Sequence, residues 1–197
     1  MYLSKDCNGK TDEELVDLTL QNKEYFVCII DRYEDNLLRY IRRITNIAED
    51  ELYDILQETF VNVYYNLNGF DRSLKFSSWI YRIAHNKTIS VHRKNKVRPH
   101  GNLIDFDEKV LENLADDFDV TKDIDIRYLR QNIEKILDKL DEKYKEVLIL
   151  RFFEEKDYKE ISDILKKPIG TVATLISRAK KQFREEFNKE NINLHYE

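Results

Sequence analysis

The chain has little of what hairpins and nucleotide loops are made from: 4 Gly and 2 Pro in 197 residues. Positive-φ backbone is largely glycine's, so tight β-turns and glycine-rich phosphate cradles have few places to form. Long apolar runs are missing as well. The longest cluster, Phe26 to Ile30, falls far short of the roughly 18 residues that a membrane helix needs, and no membrane insertion is expected. Met1 to Lys10 has no apolar core behind its charge and does not read as a secretory leader. These absences point to a cytoplasmic protein.

Chemistry-bearing residues are equally sparse. Two cysteines, Cys7 and Cys28, cannot build a disulfide framework or a four-ligand zinc site, and Cys28 among apolar neighbours reads as core filling. His85 and His92 stand seven apart and share a helix face, but no third ligand accompanies them, so neither a metal nor a cofactor is expected. No serine sits in a nucleophile elbow, and paired carboxylates fall in an acidic stretch or on solvated faces. Nothing in the sequence asks for catalysis.

What the chain does have is charge, at 36% of residues, with 42% hydrophobic residues that include 12 Tyr and 10 Phe. That is too aromatic for disorder and too charged for lipid. The net charge of −5 argues against a nucleic-acid partner only if it is spread evenly. It is not. From Arg72 to Ile104 there is no carboxylate, while Arg72, Lys75, Arg82, Lys87, Arg93, Lys94, Lys96 and Arg98 are all present. A second acid-free stretch, Ile164 to Arg184, carries Lys166, Lys167, Arg178, Lys180, Lys181 and Arg184. One such run is often an ordinary solvated face; two, split by an acidic segment, suggest two contacts on one anionic ligand. The acidic segment holds Asp105, Asp107, Glu108, Asp116, Asp117, Asp119 and Asp123 behind Pro99 and Gly101, and reads as a linker.

Apolar periodicity predicts an all-α chain of two small helical domains. Thr11 to Glu14 has capping-box spacing and opens a first helix. Phe26, Ile29, Ile30, Tyr33, Leu37, Ile41 and Ile44 mark one face of a second. Leu52, Ile55, Leu56, Phe60, Val63 and Leu67 mark a third, stopped at Asn68-Gly69 by a glycine free to turn left-handed. Phe76, Ile80, Ile83 and Ala84 begin a fourth, basic helix. Past the linker, Leu129 to Leu140 and Val147 to Phe152 form two helices, and Asp157 with Glu160 caps the next. After Lys166-Lys167-Pro168 a basic last helix completes a helix-turn-helix pattern.

On the third helix, Asp54, Gln57, Glu58 and Val61 share one face opposite the core stripe, either a plain solvated face or a docking face for a basic partner helix. Around the fourth, Tyr64, Tyr65, Phe70, Phe76, Trp79 and Tyr81 interleave with Arg72, Lys75 and Arg82. Rings and cations in alternation suit single-stranded nucleic acid, since bases stack on rings while cations track the backbone. Phe76 and Ile80 read as core, and Trp79 is open between core and surface.

These residues resemble the two-domain, extracytoplasmic-function type of bacterial sigma-70 sigma factors. Asp54 to Phe60 resembles the segment that binds the clamp helices of the RNA polymerase largest subunit. Phe76 to Asn86 is similar to the segment that melts and reads the minus-ten promoter element. Leu140 to Arg151, with Gly170-Thr171-Val172, resembles the domain that reads the minus-thirty-five element. The resemblance implies a polymerase-binding set of Asp54, Gln57, Glu58, Val61 and Asn62. It implies a minus-ten set of Arg72, Lys75, Ser77, Trp79, Arg82, Asn86, Lys87 and Arg93. The minus-thirty-five set is Thr171, Ala173, Thr174, Ser177, Arg178, Lys180 and Lys181. It also implies that the second domain meets the flap of the second-largest polymerase subunit and that an anti-sigma factor controls the protein. Two departures stand out: Lys166 occupies the turn where many members place glycine, and Ala173, Thr174 and Leu175 replace the usual Lys-Ser-Arg.

The expected organisation is therefore a polymerase-binding and melting domain over 1–98, an acidic linker over 99–125, a helix-turn-helix domain over 126–187 and a tail over 188–197. The expected function is that of a sigma factor directing promoter-specific initiation, without catalysis of its own. The alternative is a helix-turn-helix repressor with a sensing or dimerising first domain. A protein that sequesters a sigma factor is a third class.

Overall fold

The computed structural model describes residues 7–45, 47–95 and 132–194, and among these every regular element is helical. The acidic linker at 99–125 lies outside the described residues, as do Leu129 and Arg98. The chain forms two compact units, one built from the N-terminal helices and one from the C-terminal helices.

The first unit comprises α1 (Asp12–Gln21), α2 (Phe26–Ile44), α3 (Glu49–Asn66) and α4 (Phe76–Asn95). Thr11 caps α1: its hydroxyl accepts from the Glu14 amide, and the Glu14 carboxylate accepts in return from the Thr11 amide at 2.6 Å. Two of the orphan amides that every helix start leaves are thereby satisfied by neighbouring side chains. The four helices bury one core of Leu15 and Val16, Ile29, Leu37, Tyr40 and Ile41, Leu52, Ile55 and Val63, and Phe76, Ile80 and Ala84. Aromatic rings lock the start of α4 into it. Phe76 meets Phe70 at 5.3 Å and Tyr33 at 5.7 Å between centroids, both in the T-shaped geometry that ring quadrupoles favour, and lies tilted against Trp79 at 5.6 Å.

Two expectations change here, at Gly69 and at Cys28. Gly69 closes α3 within a 3-10 turn, Leu67–Gly69, and its φ is not positive; among the described residues Gly9, at φ +80, is the glycine that uses the left-handed region. His85 belongs to the core, hydrogen-bonded at 2.9 Å between its Nδ1 and the Tyr40 hydroxyl. Cys28 is buried as expected but does more than fill space, because it is bonded to Cys7 across 21 residues of sequence. Folding supplies a proximity that spacing alone does not reveal.

The second unit begins with α5 over 132–138, followed by α6 (Glu142–Leu148), α7 (Tyr158–Leu165) and α8 (Ile169–Leu194). α6 continues into a π-helical turn, Ile149–Phe153. Its wider winding brings Ile149, Leu150, Phe152 and Phe153 all into the core, where a regular helix of this sequence turns part of that run outward. Ile133, Ile136, Leu137, Ile161, Val172, Ile176, Ala179 and Phe183 are buried in the same unit. The helix-turn-helix pair is α7 and α8, and α8 is long rather than short, at 26 residues. Asp157 and Glu160 form the second capping box, each side chain accepting from the other's amide at 2.8 and 3.0 Å.

Candidate functional site

Three surfaces hold the predicted site residues. The first is the outward face of α3. Its core stripe of Leu52, Ile55, Leu56, Thr59 and Val63 turns Asp54, Gln57, Glu58, Val61 and Asn62 to solvent, and all five are exposed. Beside them α2 and α3 enclose an apolar groove of about 520 Å³. Phe26 and Ile30 line it from α2, with Phe60, Val61, Tyr64 and Tyr65 from α3. Val61 and Tyr65 stand 53% and 77% exposed at its edge, an apolar addition to an otherwise acidic and polar face. Sequence reading found the carboxylates but missed the groove, because part of its wall, Phe26, Ile30 and Glu34, comes from α2. The only signal for it was the excess of aromatics at the C-terminal end of α3.

The second surface lies between α3 and α4, a cleft of about 520 Å³. Trp79 and Ile83 supply an apolar wall, Asn62, Asn66, Asn86 and Ser90 supply polar groups, and Lys87 brings a cation. Trp79 is 6% exposed, packed on Phe70 at 5.4 Å and Phe76, so its open assignment resolves in favour of the core, with one edge facing the cleft. Of the minus-ten set, Trp79, Asn86 and Lys87 meet here. Arg72, Lys75 and Ser77 sit apart at and before the start of α4. Arg72 pairs with Asp17 of α1 and lies over the Phe70 ring at 5.8 Å. Lys87 pairs with Glu58, which joins the acidic face of α3 to the cleft. Arg82 is half-buried, and the Arg93 side chain falls outside the described residues. In the loop before α4, Asp71 accepts from the Ser73 amide at 2.9 Å, and that hydrogen bond holds its carboxyl below the usual carboxylate range.

The third surface is α8. Thr171, Thr174, Ser177, Arg178 and Lys181 are exposed on the side opposite Val172, Ile176, Ala179 and Phe183. Ala173 and Lys180 sit seven apart on the flank and are half-buried, with the Lys180 amine 5.5 Å from the Phe152 ring centre. The turn that aims this helix answers the missing glycine directly: Lys166 takes φ +53. Ser162 anchors it, its hydroxyl donating to the Lys167 carbonyl at 2.6 Å while the Lys167 amide donates to the Ser162 carbonyl. A side chain in the left-handed region costs about 1–2 kcal/mol. Lys166→Gly should therefore stabilise the protein by up to about 1 kcal/mol, once the larger unfolded-state entropy of glycine is subtracted. Chemical denaturation checks this, and a destabilised variant means that the lysine side chain contributes contacts worth more than the strain.

Among the described residues no group of three His, Cys, Asp or Glu is placed to hold a metal ion, and no helix is long and apolar enough to cross a membrane.

Residues 29–98 match the Sigma-70 region 2 family and residues 130–183 match Sigma-70, region 4. The ECF RNA polymerase sigma factor SigW of Bacillus subtilis is 34% identical over 175 residues, spanning 84% of this chain and 90% of the relative. The chain belongs to the extracytoplasmic-function (ECF) sigma factors. It is accordingly an RNA polymerase sigma factor that directs transcription initiation, and a repressor is not favoured. The ECF sigma-E factor of Haemophilus influenzae is 28% identical over 182 residues, covering 87% of this chain and 92% of that one. Among solved structures, CnrH in complex with the cytosolic domain of CnrY shares the fold at a TM-score of 0.67 and 21% identity, covering 91% of this chain and 99% of CnrH. The sigma factor RpoE bound to the anti-sigma factor NepR, from Bartonella quintana, does so at 0.62 and 19%, covering 83% and 96%. The region 2 match takes in most of the first basic stretch, and the region 4 match takes in nearly all of the second.

Proposed function

We propose that this ECF sigma factor divides its work among the three surfaces. The α3 face and its groove dock core RNA polymerase, with Asp54, Gln57, Glu58, Val61 and Asn62 against the clamp helices of the largest subunit. The cleft between α3 and α4 holds promoter DNA that has been opened at the minus-ten element. A base unstacked from the duplex finds the edge of a ring to pack against in Trp79, amides to hydrogen-bond in Asn62 and Asn86, and a cation for its phosphate in Lys87. Arg72, Lys75, Ser77, Arg82 and Arg93 guide the strand toward it. Thr171, Thr174, Ser177, Arg178 and Lys181 of α8 read the minus-thirty-five duplex, flanked by Ala173 and Lys180, while this domain rests on the flap of the second-largest subunit.

In this reading the protein is not itself an enzyme, works in the cytoplasm with the polymerase, and is restrained by an anti-sigma factor that covers these surfaces. The domain limits are 1–98 and 126–187, joined by the acidic 99–125. The observation that carries the proposal is the α3–α4 pair, where an exposed acidic and apolar face adjoins a cleft that combines ring, amide and cation. Run-off transcription with core polymerase on a promoter library tests it. A discrete set of transcripts that depends on this protein is the expected result, and transcripts unchanged by its addition overturn the assignment.

A further inference from the structure

The N-terminal segment is fastened along one stripe of α2. Arg32 donates to the Asp12 carboxylate at 2.7 Å and to the Lys10 carbonyl at 2.8 Å. The Tyr33 hydroxyl donates to the other Asp12 oxygen at 2.5 Å, and burial together with that carboxylate pushes the phenol pKa up, so it stays a donor. One turn earlier on the same stripe stands Cys28, four residues before Arg32, with Cys7 bonded to it. The turn at Asn8-Gly9, with Gly9 at φ +80, brings the chain round so that both anchorages hold together. The Cα atoms lie 5.7 Å apart, inside the range that a disulfide spans without moving the backbone. No other cysteine competes, because the chain has 2.

We propose that Cys7 and Cys28 form a reversible redox pair that clamps the N-terminal segment onto α2. The proposal rests on the cytoplasmic placement argued above, since a disulfide in that compartment is usually transient and redox-sensing rather than structural. The half-buried Cys7 is the thiol an oxidant reaches, and the 2%-exposed Cys28 is the one that waits beside it. The oxidant class is a peroxide. Cys7 thiolate attacks one peroxide oxygen, the O–O bond breaks, and the departing hydroxide takes up the proton that the thiol had released, so the products are Cys7 sulfenic acid and water. Cys28 then attacks the Cys7 sulfur; the S–S bond forms, the S–O bond breaks, and a second water leaves. Two thiols have lost two electrons and the peroxide has gained them. A dithiol reverses the bond by exchange, becoming a cyclic disulfide itself.

Phe26, Ile30 and Glu34, which line the groove, point to the other side of α2 from Cys28 and Arg32, since residues two apart on a helix face roughly opposite ways. Oxidation therefore braces the back of the helix that presents the groove without filling it.

The experiment uses the full-length protein. It is treated with hydrogen peroxide, with or without subsequent dithiothreitol, then labelled with a maleimide and weighed. Expected are two labels in the reduced form, none after peroxide with a loss of two hydrogens, and two again after dithiothreitol. Closing a loop of this length should raise Tm on the order of 10 °C, and Cys7→Ser should erase the difference between oxidised and reduced conditions. The oxidised form should also retain run-off activity through a heating step that inactivates the reduced form. Two labels surviving peroxide overturn the proposal. So does stepwise oxygen addition at Cys7, or a bond that glutathione at cytosolic ratios never opens. Thiol labelling needs no polymerase, so its failure is distinct from failure of the sigma-factor assignment.

Discussion

Asp54→Lys combined with Val61→Glu should weaken binding to core polymerase about 100-fold while leaving thermal stability almost unchanged. Both residues are exposed on α3 and neither fills the core, so each change should move folding stability by less than about 0.5 kcal/mol. At an interface the same positions carry far more. A half-exposed valine at the rim of an aromatic groove loses its apolar contact and gains a charge that docking must desolvate. A reversed aspartate meets whatever cation it was paired with. A tenfold loss corresponds to about 1.4 kcal/mol, which is modest for one residue near the centre of an interface. Glu58 is the poorer choice for charge reversal, because Glu58→Lys would set a lysine against Lys87 and disturb the cleft as well as the face. Glu58→Gln keeps the shape and separates the two effects. Competition between labelled and unlabelled protein for core polymerase gives the affinity. An unchanged value for the double variant removes this face from the docking surface.

How far the sequence anticipated such a face depends on whether its parts are local. Both capping boxes, Thr11 to Glu14 and Asp157 to Glu160, are four-residue patterns, and both formed as spacing predicted. Exposure of the five α3 residues followed from helical periodicity, since the apolar stripe leaves them nowhere else to point. What required the fold was anything made by two helices at once. The groove needs Phe26 of α2 beside Tyr64 of α3, 5.1 Å apart between rings, and the cleft needs Asn62 of α3 beside Asn86 of α4. Periodicity assigns a residue a face, but not the neighbour opposite.

Ambiguity at Trp79 had a different origin. It stands among aromatics and cations whose pattern fits core and nucleic-acid surface equally, and the structure lets one side chain serve both by packing on Phe70 while one edge borders the cleft. The disulfide was illegible because 21 residues separate its partners, and the proximity comes from the turn at Asn8-Gly9 together with the anchorage of Lys10 and Asp12 on α2. At Lys166 the sequence posed the right question, since a turn without glycine must either change shape or tolerate a side chain. The left-handed φ shows that it tolerates one, with Ser162 bonding across the turn.

Asn86→Ala should reduce promoter opening by about tenfold to a hundredfold while leaving polymerase binding intact. The cleft tests a division of labour: Trp79 and Ile83 offer an apolar face, whereas Asn86 offers an amide that can both donate and accept along the edge of a base. A well-placed amide contact to a base discriminates by about 1–3 kcal/mol. Trp79→Ala is unsuitable as a probe, since truncating a buried aromatic costs about 3–5 kcal/mol of stability and would confound any loss of function. Trp79→Phe retains a ring and should cost opening less than Asn86→Ala does. Asn86 itself is exposed and outside the core, so its truncation should leave folding almost untouched. Permanganate reactivity of unpaired thymines reads opening, and a premelted bubble template separates strand capture from melting. On the bubble the variant should remain defective, because the lost contact is to a base already unstacked. Wild-type reactivity of Asn86→Ala on both duplex and bubble templates would show that the cleft does not take the base, leaving the cations at the start of α4 as the strand's main contacts.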